Sequence, residues 1–258
     1  MKKSTLIALI LAGVAVPALA LAGPFDGTWK LDTAKSKFTG DTMTYTKTAT
    51  GYHFSNGGPV SYDFAVDGKD FTIIPSRSVA WSKAAGGGWD IVTKANGKVI
   101  SKAHRTLSAD GKTMTSTYVE YRPDGTTVHE SDVYARVTGA KGLAGEWRNT
   151  KVQSASDTMK IATSAGGHFT IEEPNFKSTT AGRTDGSPST IKGPNVPPGA
   201  VPVYKADDPG KWSYRGSLNG KVYFQGVMTV SADGKTLTDT QWVPGKKSEA
   251  SVSIYDKQ

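Results

Sequence analysis

The chain has 258 residues, a formal charge of +8 and no cysteine. The missing thiols exclude cysteine catalysis, Cys-ligated zinc, iron–sulfur clusters and disulfide staples, so stability must come from a core and tight hairpins. Lysines stand singly beside Gly or Asp rather than in runs interleaved with aromatics, which speaks against a nucleic-acid groove. With Lys2 and Lys3 set aside the charge is +6, a balance that could favour anionic envelope polymers or membrane surfaces, but solvated turn lysines are the better reading.

Residues 1–22 have the order of parts of a secretory signal peptide. Lys2 and Lys3 lead an apolar run from Leu6 to Val16, Pro17 breaks it, and small-x-small sites follow at Ala18–Ala20 and Ala20–Ala22. The run is shorter than the roughly 20 residues of a membrane span, so no span is expected. No Cys follows for lipid anchoring and no twin-Arg pair precedes it. A Sec-type route to the periplasm or the medium is therefore expected, with cleavage after Ala20 or Ala22.

The rest reads as one unit written twice. Phe25-Asp26-Gly27-Thr28-Trp29-Lys30 returns as Leu143-Ala144-Gly145-Glu146-Trp147-Arg148, and Gly51-Tyr52-His53-Phe54 as Gly166-Gly167-His168-Phe169. Asp67-Gly68 returns as Asp185-Gly186, Trp89 as Trp212, and Asn96 to Val99 as Asn219 to Val222. Ser108-Ala109-Asp110-Gly111-Lys112-Thr113 recurs as Ser231-Ala232-Asp233-Gly234-Lys235-Thr236, and Tyr134 as Tyr255. The expected organisation is repeat 1 over 23–137, a short Gly-rich linker at 138–142, and repeat 2 over 143–258.

Each repeat reads as antiparallel β. Six Asp-Gly and three Asn-Gly dipeptides punctuate the chain, and these suit hairpin turns whose central residues need positive φ. Lys112–Val119 and Val222–Val230 alternate with period two. One helical turn is expected near Thr33–Lys37. Closely spaced hairpins over so short a unit suit an up-and-down barrel, which closes on itself and leaves no edge. The segment Pro188–Pro209 holds six of the 13 prolines. It is expected to be an extended loop or edge that either lids barrel two or packs on barrel one.

A Gly-x-Trp on the first strand, hairpin-linked strands and a basic residue near the end of the last strand together resemble the calycin superfamily, which includes lipocalins, fatty-acid-binding proteins and avidins. The opening from Phe25 to Phe38 and the ending Asp233–Thr238 with Tyr255–Gln258 are similar to those of small secreted bacterial proteins. The resemblance implies an all-β fold of two tandem antiparallel calycin-like barrels after a cleaved signal peptide. It also implies that Trp29 and Trp147 close the barrels under a basic residue of the last strand, Arg136 over Trp29 and Lys257 over Trp147. These four residues are then structural, each pair a cation–π contact of order 1 kcal/mol.

No residue set assembles into a catalytic or metal site. His53 and His168 occupy the same place in the two repeats and, with Tyr204, are the candidate ligand-binding residues. His129 and Glu130 are strand neighbours and point to opposite faces. Ala85–Trp89 lacks the Lys-Ser/Thr of a phosphate loop and reads as a hairpin tip, as does Asp207–Trp212. No cofactor is expected. The leading expectation is an exported protein that binds a small, partly apolar molecule. The alternative is a structural or protein-interaction module with filled barrels docking an envelope partner, and a calycin-type enzyme ranks third.

Overall fold

Asn96 and Gly97 both take positive φ, 49° and 77°, and Asn219 and Gly220 do the same at 51° and 81°. That is the backbone of a two-residue hairpin whose twist matches its strands. The computed structural model describes residues 23–258 and contains 21 strands, with turns of this kind in the β-hairpins at Asn96–Gly97 and Asn219–Gly220. The targeting segment read over residues 1–22 lies outside the described residues.

In chain order the first strands are β1 (Gly27–Leu31), β2 (Thr42–Lys47), β3 (Tyr52–Ser55), β4 (Ser61–Phe64), β5 (Asp70–Ile74), β6 (Arg77–Lys83) and β7 (Trp89–Ala95). Then come β8 (Lys98–Leu107), β9 (Thr113–Tyr121), β10 (Thr127–Arg136), β11 (Gly145–Gln153), β12 (Thr158–Ser164), β13 (His168–Glu173) and β14 (Ser178–Arg183). The last are β15 (Asp185–Pro188), β16 (Thr190–Lys192), β17 (Ala200–Asp208), β18 (Lys211–Leu218), β19 (Lys221–Val230), β20 (Thr236–Trp242) and β21 (Ser251–Lys257). The helical turn expected near Thr33 is a plain turn, in which the Asp32 carboxylate accepts from the Ala34 and Lys35 amides.

The strands form two nearly closed antiparallel sheets. Barrel one has the order β4-β3-β2-β11-β10-β9-β8-β7-β6-β5, and barrel two the order β15-β17-β18-β19-β20-β21-β1-β12-β13-β14-β16. Barrel two closes through residues 185–192, which pair with β17 at Asp185–Pro188 and with β14 at Thr190–Lys192. The change of partner occurs at Ser189, whose amide donates to the Pro202 carbonyl at 2.8 Å.

The sheets do not follow the repeat boundary. Strand β1 of the first repeat lies between β21 and β12 of barrel two, and β11 of the second repeat lies between β10 and β2 of barrel one. The cause is the short joint. Residues 138–142 lie in the turn of the β10–β11 hairpin, because consecutive strands joined by so few residues pair antiparallel. With β11 occupying the place beside β10, β1 takes the equivalent place beside β21. The exchange preserves register: Trp147 faces Met43 and Trp29 faces Met159, and Met43 and Met159 stand at matching strand positions.

The Pro-rich segment contributes two strands, β16 and β17, and the loop over 193–199 between them. The Pro194 and Asn195 carbonyls accept from Asn96 Nδ2 at 3.0 Å and Arg77 Nη2 at 3.2 Å. Elsewhere Glu249 accepts from the Thr42 amide at 3.2 Å, and Asn175 Nδ2 donates to Asp124 at 2.9 Å, so the barrels touch at several points.

Each core has its own aromatic filling. Barrel two buries Phe25, Trp29, Phe169, Trp212, Tyr214 and Leu237, while barrel one buries Tyr45, Phe64, Trp81, Trp89, Leu143 and Trp147. Trp29→Ala should therefore destabilise barrel two, by about 3–5 kcal/mol. Hydrogen exchange should show lost protection in β12–β21 with β2–β11 spared, although Trp29 belongs to the first repeat.

Candidate functional site

The Gly-x-Trp motif seats one fully buried tryptophan in the core of each barrel. Trp29 Nε1 donates to the Phe25 carbonyl at 2.8 Å and Trp147 Nε1 to the Leu143 carbonyl at 2.9 Å, which satisfies the polar atom of a fully buried ring. The covering residues are exchanged relative to the sequence expectation. Arg136 lies 4.0 Å over Trp147 and Lys257 lies 5.0 Å over Trp29. The hairpin sets this pairing, since Arg136 stands opposite Trp147 and Lys257 opposite Trp29 in the ladder. Arg136 is the better-held cover. It donates to the Gly111, Ala144 and Gly142 carbonyls at 2.6, 2.8 and 2.6 Å. The motif glycines are required there. Gly27 and Gly145 have φ of 140° and 134°, and an added Cβ would lie 2.6 Å from Lys257 Cε or 2.2 Å from the Thr138 carbonyl oxygen.

The interiors differ at one cross-strand pair. Arg105 faces Ser116 in barrel one, and the same positions in barrel two hold Met228 and Asp239. Arg105 is buried, donates from Nε to Ser116 Oγ at 2.7 Å and from Nη1 to the Tyr45 hydroxyl, and lies 5.3 Å from the Trp81 ring centre. Nη2 approaches the Tyr118 hydroxyl at 3.4 Å, and the Tyr134 hydroxyl donates to Asp132 at 3.1 Å. Barrel one is thus filled by its own rings around a cation held by hydroxyls.

In barrel two the Tyr214 hydroxyl donates to Asp239 at 2.7 Å and accepts from Gln241 Nε2 at 3.3 Å. Burial raises the Asp239 carboxyl to about 6, opposed by the Tyr214 bond and reinforced by the negative Glu173. Asp157 is raised to about 6 by burial and by the same Glu173. Towards the mouth, Tyr204 stacks on Tyr214 at 5.6 Å, and Tyr214 meets Phe224 edge-on at 6.2 Å. Phe224 lies across Gly216, and Tyr214 across Gly226, where a Cβ would come within 2.2 and 2.4 Å of the rings.

Beyond Phe224 a cavity of about 350 Å³ opens at the mouth of barrel two. Leu218, Tyr223, Phe224 and Pro202 form its wall, Val196 and Pro197 of the Pro-rich loop cover it, and Ile74 and Arg77 of barrel one close its side. The segment therefore does both things expected of it as alternatives, lining this mouth and bonding to barrel one. Two charged groups line the cavity. Glu173 accepts from Ser178 Oγ at 2.6 Å. Arg77 is half-buried, and burial pushes its guanidinium below the usual value. Its Nε is buried and has no acceptor among the described residues. A hollow of about 550 Å³ around His168 and Arg183 lies on the outer face of barrel two, where Arg183 is already paired with Asp185 at 2.7 Å.

The structure does not bring the three candidate ligand residues together. Tyr204 lies inside barrel two, two rings behind the cavity. His168 is on its outer face, with Nε2 3.3 Å from Arg183. His53 is on the outer face of barrel one, since its neighbours Tyr52 and Phe54 point inward. It bonds through Nδ1 to Asp63 at 2.6 Å and through Nε2 to Ser61 at 3.0 Å. That Ser–His–Asp order arises from register, His53 opposite Asp63 and Ser61 two residues along on the same face. It lacks the rest of a hydrolase. Asp63 is 78% exposed, and the nearby Gly57, Gly58 and Val60 amides donate to Ser55 and Asn56, leaving them unavailable to an oxyanion. His129 and Glu130 do not act together; Glu130 instead accepts from Ser154 and the Ala155 amide. Ala84–Gly88 closes a hairpin between β6 and β7.

Among the described residues no group of three or more His, Asp or Glu side chains could hold a metal, and no helix is long and apolar enough to cross a membrane. No family model, curated protein or solved structure matches the chain.

Sequence reasoning missed Arg77, Arg105 and Asp239. Arg105 and Asp239 carry a usable signal, since they break the repeat at inward positions of aligned strands. A carboxyl raised in the folded state binds a proton that the unfolded chain, at about 3.9, has released. Its contribution to stability therefore falls as pH rises from about 4 to 6. Asp239→Asn should stabilise the protein at pH 7 by on the order of 1–3 kcal/mol, with the gain absent at pH 4 in denaturant titrations.

Proposed function

We propose that this protein is exported and binds a small, partly apolar molecule in the mouth of barrel two. One contrast carries the reading: barrel one is packed with its own side chains, whereas barrel two keeps an apolar cavity covered by a loop its counterpart lacks. A site of this size with few polar groups suits a small ligand. Phe224 bounds it on the barrel side, with Tyr214 and Tyr204 stacked behind that ring, and the Trp29–Lys257 contact supports the barrel itself.

A second reading, a structural or protein-interaction module of the envelope, draws on the filled interior of barrel one and on strands rich in Thr, Ser and Gly. Native mass spectrometry of the protein taken from its own periplasm separates the two. A bound small molecule that is retained by the wild type and lost from Val196→Trp, which fills the mouth, is the expected result. Protein that flies without an adduct, together with unchanged envelope association in that variant, would establish the second reading instead.

A further inference from the structure

The cavity is lined by charged side chains at two places, and those places are not equivalent. Glu173 has its hydrogen-bond donor in Ser178 at 2.6 Å. Arg77 spends Nη2 on the Asn195 carbonyl at 3.2 Å, while its buried Nε has no acceptor among the described residues. A guanidinium taken out of water without a counter-charge is costly, and a buried donor without an acceptor adds to that cost. The group that relieves the missing counter-charge is an anion on the part of the guanidinium that lines the cavity, where the planar fork of arginine suits a carboxylate.

The geometry points to Arg77 as the headgroup site for an aromatic or similarly flat apolar monoanion. Its body would lie among Phe176, Tyr223, Phe224 and Pro202, and its acid on the guanidinium that barrel one supplies. This rests on the reading of the mouth as a binding cavity and adds the charge and orientation of the ligand. The three aromatic rings in the lining, Phe176, Tyr223 and Phe224, favour a flat body. Glu173, which also lines the cavity, repels the acid and so disfavours the reverse orientation. The site is composite. Barrel two provides the apolar wall, and strand β6 of barrel one provides the charge, held to the covering loop by the Arg77–Asn195 bond. Occupation would therefore tie the loop and both barrels together.

Three probes with one body and different heads test this on the full mature protein: 1-naphthaleneacetate, 2-(1-naphthyl)ethanol and 2-(1-naphthyl)ethylamine, titrated by naphthalene fluorescence. The acid should bind about tenfold or more tighter than the alcohol, in line with a hydrogen bond to a charged group, and the amine most weakly. Arg77→Gln should remove the preference for the acid while leaving the alcohol within about threefold, and Arg77→Lys, which keeps charge without the fork, should fall between. Equal binding of acid and alcohol, or equal loss of both in Arg77→Gln at unchanged melting temperature, would overturn the anion assignment and leave the cavity reading standing. Tightest binding of the amine would transfer recognition to Glu173 and also overturn it. Failure of all three probes to bind would remove the cavity reading itself, and this proposal with it.

Discussion

The joint between the repeats is too short to let β11 leave β10, and the rest of the architecture follows from that. A strand fed through a short Gly-rich turn pairs with the strand before it. Once β11 lies beside β10, the place that β1 would have filled in a free-standing repeat is taken. The equivalent place beside β21 is open and accepts β1 in the same register. The covering residues follow their strands, so each tryptophan is covered by the basic residue of the barrel it has entered. The two barrels are thereby interlocked by chain crossings at 32–41 and 154–157 as well as by surface contacts.

Within this frame duplication has allowed the interiors to diverge without disturbing the ladders. The pair Arg105–Ser116 and the pair Met228–Asp239 stand at the same register, yet one barrel holds a buried cation among hydroxyls and the other a buried carboxylate under a tyrosine. Barrel one uses its rings to satisfy Arg105 and has a filled interior. Barrel two uses glycines at 216 and 226 to lay Phe224 and Tyr214 flat across the sheet, and leaves space beyond them. The Pro-rich segment extends this difference. Pro202 lies where the strand over 185–192 changes partners, and the loop before it reaches Arg77 and Asn96 of the other barrel.

Much of this was legible residue by residue. The Asn-Gly turns, the period-two strands and the matched Ser-Ala-Asp-Gly-Lys-Thr loops, in which Ser108 and Ser231 bond Asp110 and Asp233 at 2.6 Å, are local and depend on backbone chemistry. The candidate site was less so. His53 and His168 stood out through their repeated position, but the alternation of each strand sends them outward beside inward-facing aromatics. Asp63 and Ser61 join His53 only through register with the neighbouring strand. Arg77 gains its significance from a loop more than a hundred positions away, which no local pattern reveals.

The sequence by itself determined the all-β class, many of the turns and the internal repeat, because these follow from side-chain alternation, positive φ and short-range hydrogen bonds. Only the tertiary structure decided which strand completes which barrel. Two repeats with matching anchor positions offer a similar pairing surface to either first strand, so local preference does not choose and chain connectivity breaks the tie. The same holds for the cavity. Its walls are largely apolar positions that any barrel would have, and its arginine is brought to it by the contact between two barrels.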